Sequence, residues 1–124
     1  MTDSRARPHV LLVDDEVDFV ASLGQRLELR GLPTLTATSG PDALEILRGQ
    51  PVDVVVLDVR MPRMSGLDLQ KELAARGATI PIIFITGHGD INMAVQAMKD
   101  GAVDFLPKPF NDQDLLDAVN RALD

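Results

Sequence analysis

The chain has 124 residues, of which 45% are apolar and 25% charged, a composition typical of one globular domain that buries a hydrophobic core. Its formal net charge is −7 and its twelve lysines and arginines are scattered, which argues against direct binding of nucleic acid by this domain. The absence of cysteine excludes disulfides, thiolate metal sites and thiol nucleophiles.

Five short runs are predicted to form β-strands, at residues 9–14, 33–38, 53–58, 80–86 and 103–108. Three of these runs are continuously apolar and rich in valine and isoleucine, which is typical of parallel strands covered on both faces. The second run contains "TLTAT", in which apolar and polar residues alternate. This pattern favours an edge strand with one face nearer to solvent.

A helical segment follows each predicted strand. The first helix is predicted at residues 18–30 and stops at Gly31, and the second begins with Gly40 as its cap and Pro41 in its first turn. Asp90 and Asn111 are the predicted N-caps of the fourth and fifth helices. The second to fifth helices are predicted within residues 39–47, 65–77, 90–101 and 111–123. Five βα units with short connections predict an α/β fold with a parallel sheet between two helix layers.

Polar residues end four of the predicted strands: Asp14 and Asp15, then Asp58, Thr86 and Lys108. Each could separately be an ordinary turn residue or a solvated charge. The carboxyl ends of parallel strands share one edge of a sheet, and ligands bind there. Because the middles of these strands are apolar, the joint placement of these residues predicts a functional site.

Three neighbouring carboxylates would raise one another's pKa, and a hard divalent cation removes that penalty. Mg²⁺ prefers oxygen ligands, and no histidine ends these strands, which argues against zinc or copper. His88, two residues after Thr86, is predicted to be a solvated loop residue. A carboxylate beside Mg²⁺, an ammonium and a hydroxyl suits phosphoryl transfer, with the aspartate as nucleophile.

The ordered set "VDDE", "VLDVRMPRMSG", "FITGHGD" and "DFLPKPF" resembles the receiver domain of two-component response regulators. The resemblance runs from His9 to the last helix. It implies a flavodoxin-like doubly wound fold, a three-layer sandwich with strand order 2-1-3-4-5. It also implies a flexible N-terminus at residues 1–8 and a receiver domain at residues 9–124, as the N-terminal part of a longer protein.

The resemblance also implies a role for each matching residue. Asp58 would accept a phosphoryl group from a histidine kinase, which makes the domain a signalling switch and not an enzyme for other substrates. Mg²⁺ would be bound by Asp14, Asp15, Asp58 and the backbone carbonyl of Arg60.

A second group of residues would carry the switch. Thr86 and Lys108 would contact the phosphoryl oxygens, and Phe105 would turn inward when Thr86 moves. In the family the bond between Lys108 and Pro109 is cis.

The readout would be the face formed by the fourth helix, the fifth strand and the fifth helix, through which the domain contacts an output domain or forms a homodimer when phosphorylated. On the fourth helix, "INMAVQAM" cannot bury both Met93 and Val95 equally well, so apolar surface would be left for a partner. The resemblance is greatest to receivers with LuxR-type helix-turn-helix or sigma-54 activator output domains, so the output would be transcription. The apolar runs are too short to span a bilayer, and the sequence predicts a cytoplasmic protein.

The alternative is a Mg²⁺-dependent phosphohydrolase with an aspartyl-phosphate intermediate. Hydrolases of the haloacid dehalogenase type need a second acid two residues after the nucleophile, and Arg60 occupies that place after Asp58. A nucleotide-binding site is disfavoured because the first strand–helix turn is acidic, where a phosphate cradle needs glycines.

Overall fold

The computed structural model describes residues 9–87 and 90–123, in which five strands alternate with five helices. The strands are β1 (Val10–Val13), β2 (Thr34–Ala37), β3 (Val54–Asp58), β4 (Ile82–Thr86) and β5 (Asp104–Pro107), and the helices are α1 (Val17–Leu29), α2 (Gly40–Gly49), α3 (Gly66–Ala75), α4 (Ile91–Lys99) and α5 (Asp112–Leu123). The predicted flexible segment 1–8 and the predicted loop histidine His88 lie outside the described residues. Within the described ranges, no helix has the length and apolar character needed to cross a membrane.

All strand pairs of the sheet are parallel, and the strand order is β2-β1-β3-β4-β5. The predicted doubly wound fold is therefore confirmed, as is the position of β2 at an edge. The chain leaves β1 in one direction to form β2 and returns to the other side of β1 to form β3. This reversal opens a crevice at the carboxyl ends of β1 and β3, where open α/β sheets bind their ligands.

Alternate residues of the central strands face two separate cores, which explains why these strands are apolar throughout. Leu11 and Val13 of β1 belong to a core that includes residues of α2, α3 and α4. Val10 and Leu12 belong to a second core that includes residues of α1 and α5. The sheet is thus the middle of three layers, and in its three central strands polar residues occur only where a strand ends.

The second and fifth helices begin with side chains that bind their first amides. The prediction of Gly40 as the cap of α2 is wrong by one residue, because the N-cap is Ser39. The Ser39 hydroxyl accepts a hydrogen bond from the Asp42 amide at 3.2 Å, and glycine has no side chain that could do so. At α5 the predicted cap is confirmed, since Asn111 Oδ1 accepts from the Asp114 amide at 2.8 Å.

Candidate functional site

Three carboxylates meet at the crevice beside the carboxyl ends of β1 and β3. Asp14 and Asp15 directly follow β1, and Asp58 is the last residue of β3. One carboxylate oxygen from each lies within 4.8 Å of the other two. Asp14 and Asp58 are buried, whereas Asp15 is exposed. The predicted carboxylate cluster is therefore present, and it is open to solvent on the side of Asp15.

The amino end of α3 fixes the backbone at Asp58. The Gly66 amide donates to the Val59 carbonyl at 2.8 Å, and a Cβ atom at Gly66 would collide with the Asp58 carbonyl oxygen. Ser65 and Asp68 close a reciprocal capping box on the same helix. Sequence reasoning missed this role of Gly66, although the serine–glycine pair of "RMSG" before a helical pattern is a recognisable signal.

Lys108 reaches the cluster from the loop after β5. Its Nζ donates to Asp14 Oδ2 at 2.8 Å and to Glu16 Oε1 at 2.7 Å, and it lies 3.9 Å from Asp58 Oδ2. The ammonium also sits 4.6 Å from the ring centroid of Phe19, a cation–π distance. Glu16 and Phe19 were not identified as site residues from the sequence. Lys108 is therefore held beside Asp58 by two carboxylates and an aromatic face.

The charges of this cluster shift two pKa values upward. Burial raises the pKa of Asp58 to about 7, and the nearby Asp14 carboxylate adds to that rise, against the opposing effects of the Arg60 amide and Lys108. For Lys108, burial alone would lower the pKa, but the hydrogen bonds to Asp14 and Glu16 raise it above its usual value. A carboxyl group with a pKa near neutrality gains greatly from a bound cation.

The raised pKa of Asp58 makes the stability of the metal-free protein depend on pH. A carboxyl group whose folded pKa exceeds its unfolded value of 3.8 stabilises the fold below that value, and this contribution is lost as the pH rises through about 7. We expect Asp58→Asn to raise the free energy of unfolding by about 2 kcal/mol at about pH 8, after allowance for solvent screening, and to change it little below about pH 4. Urea unfolding in EDTA at the two pH values measures this difference, with the exposed Asp42→Asn as control. Equal effects at both pH values would contradict the shifted pKa.

The predicted switch residues lie on adjacent strands: Thr86 ends β4, and Phe105 lies in β5 opposite Phe84. The Thr86 side chain is buried, and its hydroxyl donates to the Leu106 carbonyl at 3.4 Å, toward β5. Phe105 is half-buried and packs against the core that contains α4. The Lys108 amide donates to the Thr86 carbonyl at 2.8 Å, and the bond between Lys108 and Pro109 is cis, as the family resemblance implied.

Arg60 connects the cluster to α4. Its amide donates to Asp58 Oδ1 at 3.2 Å, while its guanidinium donates to Asp90 Oδ1 from Nη2 at 2.7 Å and from Nε at 3.3 Å. Asp90 is the N-cap residue of α4 as predicted, but its side chain forms no capping hydrogen bond. The hydrogen bond and charge of Asp90 raise the pKa of Arg60 above its usual value.

The site opens into a cavity of about 540 Å³ that is strongly charged. Its lining comprises Asp15, Glu16, Asp58, Arg60, Met61, Pro62, Gly87, Asp90 and Lys108. Of the predicted site residues, Asp14, Thr86 and Phe105 do not line this cavity. A second open groove of about 570 Å³ lies between α1 and β2, away from the carboxylates.

The donor set fits a hard divalent cation. The clustered carboxylates supply oxygen ligands on one side of the cavity. Burial, together with the charge of Asp14, raises the pKa of Asp58, and a bound cation would offset both effects. Mg²⁺ retains several waters when it binds, and the exposed side of Asp15 leaves room for them.

A doubly wound sheet of this order, with an acidic cluster at its topological reversal and a lysine facing it, defines the class of flavodoxin-like signalling domains. Residues 10–120 match the family described as response regulator receiver domain, so the chain belongs to that family.

Relatives of known sequence and structure agree with this family. The chain is 48% identical over 118 residues to nodulation protein W of Bradyrhizobium diazoefficiens, covering 95% of this chain and 52% of that protein. It is 46% identical to the C4-dicarboxylate transport transcriptional regulatory protein DctD of Pseudomonas aeruginosa, covering 96% of this chain and 26% of the relative. The crystal structure of FixJ-N is 41% identical with a TM-score of 0.88, and the match covers 99% of this chain and 95% of that one. The chain thus spans about half or a quarter of the length of the curated relatives it matches.

Proposed function

We propose that this domain receives a phosphoryl group on Asp58 from a sensor histidine kinase and thereby switches an output. The observation that supports this most directly is the position of Asp58. Its buried carboxylate lies at the end of a central strand, within 4.8 Å of the Asp14 and Asp15 carboxylates and 3.9 Å from the Lys108 ammonium.

In the transfer step, an oxygen of Asp58 attacks phosphorus and forms the acyl phosphate bond. The bond from phosphorus to the donor, a histidine nitrogen of the kinase, breaks, and the nitrogen keeps the electron pair. Lys108 neutralises charge on the phosphoryl oxygens as a point charge after it leaves Glu16 or Asp14.

Asp14, Asp15, Asp58 and the backbone carbonyl of Arg60 would hold Mg²⁺. When bound, the cation offsets the mutual repulsion of the carboxylates and the negative charge of the phosphoryl oxygens. Asp14 differs from the other two acids because it already accepts hydrogen bonds from Lys108 and from the Glu16 amide at 2.9 Å. It would therefore also position Lys108, and it would help to hold the cation directly or through a bound water.

Phosphorylation supplies partners that the resting state lacks. The phosphoryl group adds charge and strong hydrogen-bond acceptors, so the Thr86 hydroxyl leaves the Leu106 carbonyl, at a long 3.4 Å, for a phosphoryl oxygen. The half-buried Phe105, on the neighbouring strand, then moves inward into the space beside Thr86. The population shifts toward the conformation in which these contacts form.

The output face is the surface of α4, β5 and α5. On α4 the outward side chains Ile91, Val95 and Met98 are exposed by 59%, 46% and 37%. Met93 packs partly into the core. Met93 and Val95 are therefore not equally buried, as predicted. Val103, just before β5, is exposed by 40%. These apolar side chains suit a homodimer of phosphorylated domains or contact with an output domain.

The domain belongs in a longer cytoplasmic protein that regulates transcription. Relatives at 46–48% identity are about two to four times as long as the matched region, and DctD is described as a transcriptional regulatory protein. The output domain would be of the LuxR-type helix-turn-helix or sigma-54 activator class, and DNA contacts would come from that domain and not from this acidic one.

The experiment is incubation of the wild-type chain with Mg²⁺ and acetyl phosphate, followed by intact mass measurement. A receiver gains one phosphoryl group per chain, and hydroxylamine removes it because it is an acyl phosphate. A hydrolase would instead turn over many phosphomonoesters without accumulating the adduct. That outcome is not favoured, because the position of the second acid is filled by Arg60, whose guanidinium is bound to Asp90.

A further inference from the structure

Helix α4 has an unusually small apolar anchor. The only buried residues of α4 are Ala94 and Ala97, whereas each of the other four described helices buries at least one leucine. The stabilisation from burial scales with apolar area, so the two alanine methyl groups and the partly buried Met93 hold α4 less firmly than fully buried leucines hold the other helices. Polar contacts must therefore contribute much of what positions α4.

Two such contacts join α4 to the part of the chain that follows Asp58. Near the carboxyl end of α4, the buried side chain of Gln70 donates from Nε2 to the Ala97 carbonyl at 3.0 Å. At the amino end, the Arg60–Asp90 ion pair makes the connection. The Gln70 contact is sealed inside the protein, but the ion pair is on the wall of the cavity that contains Asp58.

The two members of this ion pair have very different environments. The Asp90 side chain is only 7% exposed, while that of Arg60 is 69% exposed and can turn into the cavity without disturbing the core. Asp90 also occupies the N-cap position of α4, where a carboxylate is favoured by the free amides and the helix dipole, yet it is bound to Arg60 instead. Each member therefore has a second partner within reach: the phosphoryl group for Arg60 and the first turn of α4 for Asp90.

We propose that Arg60 and Asp90 form a latch that holds the amino end of α4 in the unphosphorylated protein and opens when Asp58 is phosphorylated. The inference rests on the proposed function and adds these two side chains as positioning residues. Phosphorylation replaces the single negative charge of the Asp58 carboxylate, which accepts the Arg60 amide, with the nearly two negative charges of a phosphoryl group. The guanidinium then binds the phosphoryl oxygens, which match its planar donors, and Asp90 turns to cap α4.

Thermodynamic linkage makes the latch testable in a variant that is not itself phosphorylated. If phosphorylation weakens the Arg60–Asp90 pair, then weakening the pair must favour the phosphorylated conformation by the same factor. Asp90→Asn keeps the shape and capping ability of the side chain but removes its charge. The ratio of switched to resting conformation should rise about fivefold or more in the unphosphorylated variant.

The experiment is amide NMR of α4 in the 124-residue chain. Wild-type spectra before and after addition of Mg²⁺ and acetyl phosphate define the resting and phosphorylated positions of the Val95, Ala97 and Met98 signals. We expect unphosphorylated Asp90→Asn to shift these signals along that line, toward the phosphorylated positions. Arg60→Ala, which removes an exposed side chain, should shift them equally, and the double variant should add nothing further because both changes open the same contact.

The control is Asp112→Asn. Asp112 pairs with Arg26 at 2.8 Å and lies in the first turn of α5, so this change breaks an ion pair of similar geometry away from α4. It should leave the α4 signals in place. Unmoved α4 signals in both Asp90→Asn and Arg60→Ala, with normal phosphorylation of the wild type, overturn the latch alone. A wild-type chain that forms no adduct overturns the proposed function together with the latch.

Discussion

Asp58→Asn is expected to abolish the hydroxylamine-labile adduct that the wild-type chain forms with acetyl phosphate and Mg²⁺. An amide is a very poor nucleophile toward phosphorus, so the rate of adduct formation should fall on the order of 10³-fold or more. The substitution keeps the shape of the side chain, and its oxygen can still accept the Arg60 amide. Since asparagine also removes the repulsion with Asp14, loss of the adduct cannot be ascribed to unfolding.

We expect that the neighbouring carboxylates do not replace Asp58 in this reaction. Asp14 is engaged by Lys108 and by the Glu16 amide, and Asp15 lies on the exposed side of the cluster. Peptide mapping after borohydride reduction of the acyl phosphate locates the modified residue, and Asp42→Asn, an exposed acid on α2, serves as the control. An adduct retained in full by Asp58→Asn, or located on Asp14 or Asp15, would contradict the assignment.

The fold follows from the sequence because its signals are local and agree with one another. Continuous apolar strands predict a sheet covered on both faces, and the alternating run at residues 34–38 predicts the edge, where β2 lies. Helix starts were less certain, as the shift from Gly40 to Ser39 shows. Cap identity depends on the direction of one side chain, which a pattern of residue types does not specify.

The position of the site could also be predicted, because the carboxyl ends of parallel strands must share an edge. The hydrogen-bond partners of the side chains in the site could not be predicted from the sequence. Lys108 binds Glu16 across 92 residues of sequence, and Arg60 binds Asp90 across 30, so both pairs exist only once the sheet has formed. In the sequence, an acid beside other acids is most simply interpreted as a further solvated charge. For that reason no role was predicted for Glu16.

The rotamer of Thr86 is a further feature that the sequence does not predict. The sequence places a hydroxyl at the end of β4, and the structure confirms that position. The hydroxyl donates to the Leu106 carbonyl at 3.4 Å, toward β5. A residue whose partner depends on the state of the protein cannot be assigned one contact from the sequence.

Removing a proposed metal ligand is the second change with a large expected effect. Asp15→Ala should weaken Mg²⁺ binding by at least about 100-fold. Mutation of a residue that only hydrogen-bonds to a metal ligand lowers metal affinity about 10- to 100-fold, and loss of the ligand itself costs more. Asp15 is the informative choice since it is exposed, so its truncation leaves the core and the Lys108–Asp14 contact in place. Isothermal titration calorimetry measures the change. The matched control is Asp18→Ala, which removes an exposed acid from the first turn of α1.

The same titration tests the proposal that Asp58 is a ligand, through its expected dependence on pH. Mg²⁺ binds the deprotonated carboxylate, and burial together with Asp14 raises the pKa of Asp58 to about 7 in the metal-free protein. Affinity should therefore be nearly constant above about pH 7 and fall about tenfold per pH unit below it, with uptake of Mg²⁺ releasing a proton. In Asp58→Asn the remaining weak binding should lose this dependence. An affinity unaltered by Asp15→Ala, or a pH profile that survives Asp58→Asn, would place the cation elsewhere.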